Sequence, residues 1–61
     1  MKVSELLRII TKAGCYLVNH GKEHDTWYSP KTGKKFRVPG HRGKELKTGT
    51  ADSILKDAGL K

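Results

Sequence analysis

The stretch His24-Asp25-Thr26-Trp27-Tyr28-Ser29-Pro30-Lys31-Thr32-Gly33-Lys34-Lys35-Phe36-Arg37-Val38-Pro39-Gly40 decides the fold. Pro30, Lys31, Thr32 and Gly33 are turn residues, and the runs on either side carry the aromatic and β-branched residues that strands favour. The segment therefore predicts a hairpin, with strands over His24–Ser29 and Lys34–Val38 and a stop at Pro39-Gly40. If Ser29 pairs with Lys34, Trp27 faces Phe36 and Asp25 faces Val38 on one side, which becomes the core side. Alternation then puts His24, Thr26, Tyr28, Lys35 and Arg37 on the other face, which is polar and basic.

Working outward, Cys15–Val18 is short and apolar, and reads as a strand preceding the hairpin. Asn19–Glu23, with Gly21 and no apolar residue, reads as the connection. Before it, Val3, Leu6, Leu7, Ile10 and Ala13 recur at helical spacing, with Ser4 as the expected N-cap and Gly14 as the stop. Arg8 and Lys12 fall on the exposed side of that helix. Beyond the hairpin, His41–Lys47 reads as a polar loop, and Thr48 or Thr50 can cap a last helix carrying Ala51, Ile54, Leu55 and Ala58. Gly59 ends it and Leu60 packs back. The order is helix, three antiparallel strands, helix, and two helices over one sheet face make a single α+β domain spanning residues 1–61.

Size and charge narrow the function classes. With 61 residues, of which 34% are hydrophobic, the chain can bury one small core. A single cysteine, Cys15, forms no internal bridge and reads as a buried small hydrophobe, so partner binding is the expected source of added stability. The lone thiol suits a reducing compartment, no apolar run nears the roughly 20 residues of a membrane span, and Met1–Glu5 lacks a secretory apolar stretch. A cytoplasmic location is expected. Thirteen Lys and Arg against six acids give a formal charge of +7 and a pI near 9.9. Lys31, Lys34, Lys35, Arg37, Arg42, Lys44 and Lys47 fall in one stretch where Glu45 is the only acid, which makes that stretch a candidate phosphate track.

The stretch from Val38 to Leu60 resembles the HicA toxin family. The likeness runs through Val38-Pro39-Gly40-His41-Arg42-Gly43-Lys44-Glu45-Leu46, then Lys47-Thr48-Gly49-Thr50, then Ser53-Ile54-Leu55-Lys56-Asp57-Ala58-Gly59-Leu60. Upstream, Ser4–Gly14 is similar to the family's first helix, with its ending of lysine, small residue and glycine. The resemblance implies a fold related to double-stranded RNA-binding domains, cleavage of messenger RNA as a metal-independent endoribonuclease, and inhibition by a HicB-type antitoxin. It also implies a catalytic histidine that follows a glycine and leads through an aromatic to a proline at the end of the second strand. Gly21-Lys22-Glu23-His24 is longer than the usual Gly-Ser-His or Gly-Thr-His, so His20 stands as a rival. Counting back from Pro30 through Trp27 gives His24, which the strand register independently places on the open basic face.

An imidazole can take a proton from a ribose 2′-hydroxyl and return one to a leaving oxygen near neutral pH. Lys35 and Arg37, or Lys22 in the adjoining loop, could hold the phosphate. Tyr28 shares the face of His24 and is the better placed aromatic for RNA contact, with covering the sheet edge as its alternative role, whereas Trp27 belongs to the core. Arg42 and Lys44 are expected to contact phosphate, and His41 to serve a structural or phosphate-contacting role, with a second proton-transfer role as the alternative. His20 and His24 lie four apart, but a zinc site wants about four ligands and would need Cys15 and a distant loop to converge, so no metal and no cofactor is assigned. The expected protein is a monomer when free of antitoxin. Two other classes fit the composition: a non-catalytic RNA-binding module, which leaves His24 without a task, and a basic structural protein of a nucleoprotein particle.

Overall fold

The computed structural model describes residues 1–61 and runs α1 (Val3–Lys12), β1 (Tyr16–His20), β2 (His24–Ser29), β3 (Lys34–Pro39) and α2 (Thr48–Asp57). The three strands are antiparallel in the order β1-β2-β3. The β2–β3 register is the one the turn residues imply: Ser29 opposite Lys34, Trp27 opposite Phe36 and Asp25 opposite Val38. Gly33 sits at φ 71°, a left-handed conformation that glycine adopts without cost, and its N–H closes the turn on Ser29 O at 2.8 Å.

Both helices pack over Phe36 and Val38. The core is Val3, Leu6 and Ile10 from α1, Ala51, Ile54 and Ala58 from and just after α2, and Cys15, Phe36, Val38 and Leu46, with Leu7, Trp27, Leu55 and Leu60 half-buried against it. This is the α+β arrangement the sequence predicts. Two hydroxyls fasten α2 to the hairpin: buried Ser29 donates to Ala58 O and Thr32 to Asp57 O, each at 2.8 Å. They satisfy carbonyls that the end of a helix leaves without partners. Both helices finish in the same way, with a left-handed glycine. At α1, Gly14 N–H bonds Thr11 O and Cys15 N–H bonds Ile10 O; at α2, Gly59 bonds Lys56 O and Leu60 bonds Leu55 O.

Several boundaries differ from the sequence reading. Helix α1 starts one residue before Ser4, with Lys2 as its N-cap residue, because backbone from a distant loop caps it. Val3 N–H donates to Lys44 O at 2.9 Å and Ser4 N–H to Arg42 O at 3.0 Å, while the Glu5 carboxylate accepts from Lys2 N–H. The loop responsible is the one that reads as wholly polar, yet it buries Leu46 to 5% exposure. Its Glu45 also pairs with the Met1 ammonium, and that hydrogen bond is the main reason the ammonium's pKa lies above its ordinary value. Helix α2 begins at Thr48 after Lys47, with neither threonine serving as a side-chain cap. Strand β1 starts after buried Cys15 and runs on through Asn19 and His20, which the sequence places in a loop. A bulge at Val18 makes this possible. Leu17 pairs with Trp27, but Asn19 pairs with Thr26 and His20 with Asp25.

The β1–β2 connection is tight enough to demand a glycine. Gly21 N–H donates to His24 O at 3.0 Å, and a Cβ at Gly21 would lie 2.3 Å from that same oxygen. Gly49, inside α2, has nothing within 4 Å of the equivalent position. Gly21→Ala should therefore destabilise the fold by about 1–3 kcal/mol through forced repacking of the turn. Gly49→Ala should stabilise it by roughly 0.5–1 kcal/mol from helix propensity. Chemical denaturation of both variants checks the pair, and equal effects would contradict this reading of the turn.

Candidate functional site

His24 opens β2 and is held from both sides by backbone. On one side its carbonyl accepts from Gly21; on the other it lies opposite Pro39, and Gly40 N–H donates to Glu23 O at 2.9 Å. Gly40 also has little room for a side chain, since a Cβ there would meet Glu23 O at 3.3 Å. The backbone at His24 is thus fixed while its ring is exposed on the outer face of the sheet.

Arg37 projects from the same face, two residues before Pro39. Because α2 packs along β3, an edge strand, His24 and Arg37 share an open cleft of about 530 Å³ with one side of α2. That side presents Thr50, Ser53 and Asp57, which the i, i+3, i+7 spacing of a helix brings into line. The sequence, in which the last helix reads as a core element, does not single out these three. The signal was available: once Ala51, Ile54 and Ala58 face inward, Thr50, Ser53 and Asp57 must flank them. The start of α2 lines the cleft too, at Gly49 and Thr50, with no side-chain cap and no acid in the first turn. Its partial positive charge adds to that of the Arg37 guanidinium.

The remaining sequence candidates distribute over the surface. Tyr28 lies on the outer face opposite Lys35, half-buried, with its ring 5.4 Å from that of Tyr16 on β1. Lys35 is exposed on the same face as Arg37 but does not line the cleft. Lys22 sits exposed at the tip of the β1–β2 turn, and His41 and Lys44 are exposed in the loop between β3 and α2. Arg42, in that loop, lines a separate cleft beside α1. None of these cations is engaged by a carboxylate: the ion pairs are Met1–Glu45, His20–Asp25 and Lys61–Asp52. The basic stretch is therefore free to meet an external anion.

The β1 bulge gives His20 a partner of its own. Its Nδ1 lies 2.6 Å from Asp25 Oδ1, with the histidine side chain 76% exposed and the aspartate 17%. The pair sits on the core side of the sheet, beyond the helices, and lines no part of the His24 cleft. No three His, Cys, Asp or Glu side chains converge on a point that could hold a metal ion.

Sequence comparison agrees with this architecture. Residues 3–60 match the family model described as the HicA toxin of bacterial toxin–antitoxin systems. Searches of curated proteins and of solved structures return no match. Since the matched segment covers nearly all of a 61-residue chain that folds as helix, three-stranded sheet and helix, the chain belongs to the HicA toxin family.

Proposed function

We propose that this chain is a metal-independent endoribonuclease that cuts messenger RNA in the cytoplasm, with His24 as its catalytic residue and a HicB-type protein as its antitoxin. The observation that carries the reading is the single cleft in which exposed His24 meets the unpaired guanidinium of Arg37. RNA brings its own nucleophile, so the protein has two tasks: to move protons and to hold the phosphate. The His24 ring takes the proton of the 2′-hydroxyl, and that oxygen attacks the adjacent phosphorus. The bond from phosphorus to the 5′ oxygen breaks, and the protonated ring or water returns a proton to the departing oxygen. Arg37 and the start of α2 offset charge as it builds on the phosphoryl oxygens. Thr50 and Ser53 offer hydroxyl donors beside it.

A second reading rests on the His20–Asp25 pair, since a carboxylate bonded to a histidine Nδ1 is a common way to orient a general base. It is the weaker one, because the pair lies outside the cleft that holds Arg37. His24→Ala should fold as the wild type does and lose about 10² to 10⁴ in cleavage rate. The wild type should keep cutting in a chelator, leave a 2′,3′-cyclic phosphate and a 5′-hydroxyl, and fail on RNA with a 2′-deoxy sugar at the cut. Wild-type cleavage by His24→Ala together with a dead His20→Ala would move the site to His20.

Phosphate contact is separable from chemistry. Replacing Lys35 and Arg37 by Gln should weaken RNA binding and lower its log–log salt slope by about 0.7 for each lost contact to a single strand. An unchanged slope would remove both residues from the interface. The antitoxin is expected to cover His24 and place acidic groups toward Lys35 and Arg37, leaving the free toxin a monomer. Hydrogen exchange in the complex should show new protection across β2, β3 and the first turn of α2. Protection confined to α1 would contradict this mode of inhibition.

A further inference from the structure

A second cationic cleft lies along α1, where it reaches Trp27 of β2. It shares no lining residue with the His24 cleft. Ser4, Arg8 and Lys12, spaced four apart, form one wall with Thr11, and Trp27 and Leu7 contribute apolar surface. Arg42 closes it from the loop after β3, where its carbonyl is tied to Ser4 N–H at 3.0 Å. The cleft therefore assembles three cations, two hydroxyls and an indole from three separate elements. No carboxylate lines it, and none of its cations is in an ion pair.

We infer that this cleft is a second RNA-contacting subsite, which holds the phosphate backbone of the strand whose scissile phosphate occupies the His24 cleft. The inference rests on the proposed ribonuclease activity. Two guanidiniums favour phosphate by their planar, bidentate donor geometry, and hydroxyls add neutral donors. An acidic protein segment would also meet the cations, but a phosphodiester strand repeats its anion at every unit and adds sugar and base acceptors for the flanking Ser4 and Thr11 hydroxyls, while the accessible edge of Trp27 and Leu7 gives a base or sugar apolar contact. The volume, about 530 Å³, falls in the range of roughly 300–1,000 Å³ typical of sites for small molecules and suits one nucleotide unit. Reach is adequate as well. The molecule measures 26 × 23 × 17 Å, so at about 3.4 Å per stacked nucleotide a strand of on the order of eight nucleotides spans it.

The subsite thus makes affinity depend on RNA length without changing chemistry at the cut. The test uses the double variant Arg8→Gln, Lys12→Gln, whose two positions lie on exposed helix surface and whose folding is checked by circular dichroism and thermal melting. For a single-stranded RNA of about 12 nucleotides, the variant should bind about tenfold or more weakly, with a salt slope lower by about 1.4. Turnover of a dinucleotide, which can fill only the His24 cleft, should be unchanged. Arg8→Lys, Lys12→Arg should restore affinity and slope. If the wild type binds the 12-mer and the Gln variant matches it in affinity and slope, the subsite is wrong while the ribonuclease reading stands. If that variant loses affinity for polyglutamate but not for RNA, the cleft takes acidic protein instead, and the inference is overturned. Failure of the wild type to bind or cut any RNA would overturn both this inference and the function it rests on.

Discussion

An extended strand can bury only every second side chain, and in Lys35-Phe36-Arg37-Val38 that rule leaves one solution. Phe36 and Val38 enter the core, at 5% and 0% exposure, so Lys35 and Arg37 must stand on the other face. Everything else follows from that division. The helices have apolar positions to cover only on the inner face, and the outer face, with His24 at its end, stays open. A one-residue slip would bury a guanidinium without a partner and expose Phe36, so the register is enforced by the cost of desolvating charge.

The small core sets a second condition. Ten buried hydrophobic residues hold the chain together, and the sheet keeps a whole edge strand exposed, including Tyr16, Leu17 and Val18. The fold compensates by tying its ends to its middle. Ser29 and Thr32 bond the end of α2 to the hairpin, and the backbone carbonyls of Arg42 and Lys44 cap the start of α1. These contacts also shape the two clefts. The ties on α2 align Thr50, Ser53 and Asp57 beside β3, and the cap on α1 brings Arg42 next to Arg8 and Lys12. Structural hydrogen bonds and cleft geometry are the same set of interactions viewed from two sides.

Much of this was legible in the sequence because the controlling signals are local. Turn residues at Pro30–Gly33 fixed the hairpin register, helical spacing marked both helices, and Gly14 and Gly59 marked their ends. The register alone placed His24 and Arg37 on a common face. The rest was not legible because it depends on contacts far apart in the chain. A polar-looking loop buries Leu46 only because α1 and α2 leave a space for it, and Lys2 is an N-cap residue only because that loop supplies acceptors. The bulge at Val18 has no sequence mark, yet it sets His20 opposite Asp25. Nor did a helical pattern read for its apolar residues reveal that its polar flank would border the histidine.

On the proposed ribonuclease reading, RNA is held for cleavage between His24, Arg37 and the first half of α2. Amide and imidazole NMR shifts of the wild-type protein, titrated with an RNA carrying a 2′-deoxy sugar at the cut site, test it most directly. The largest saturable shifts are expected at His24, Arg37, Thr50 and Ser53. Shifts centred on His20, Asp25 and β1, with the His24 cleft silent, would contradict it.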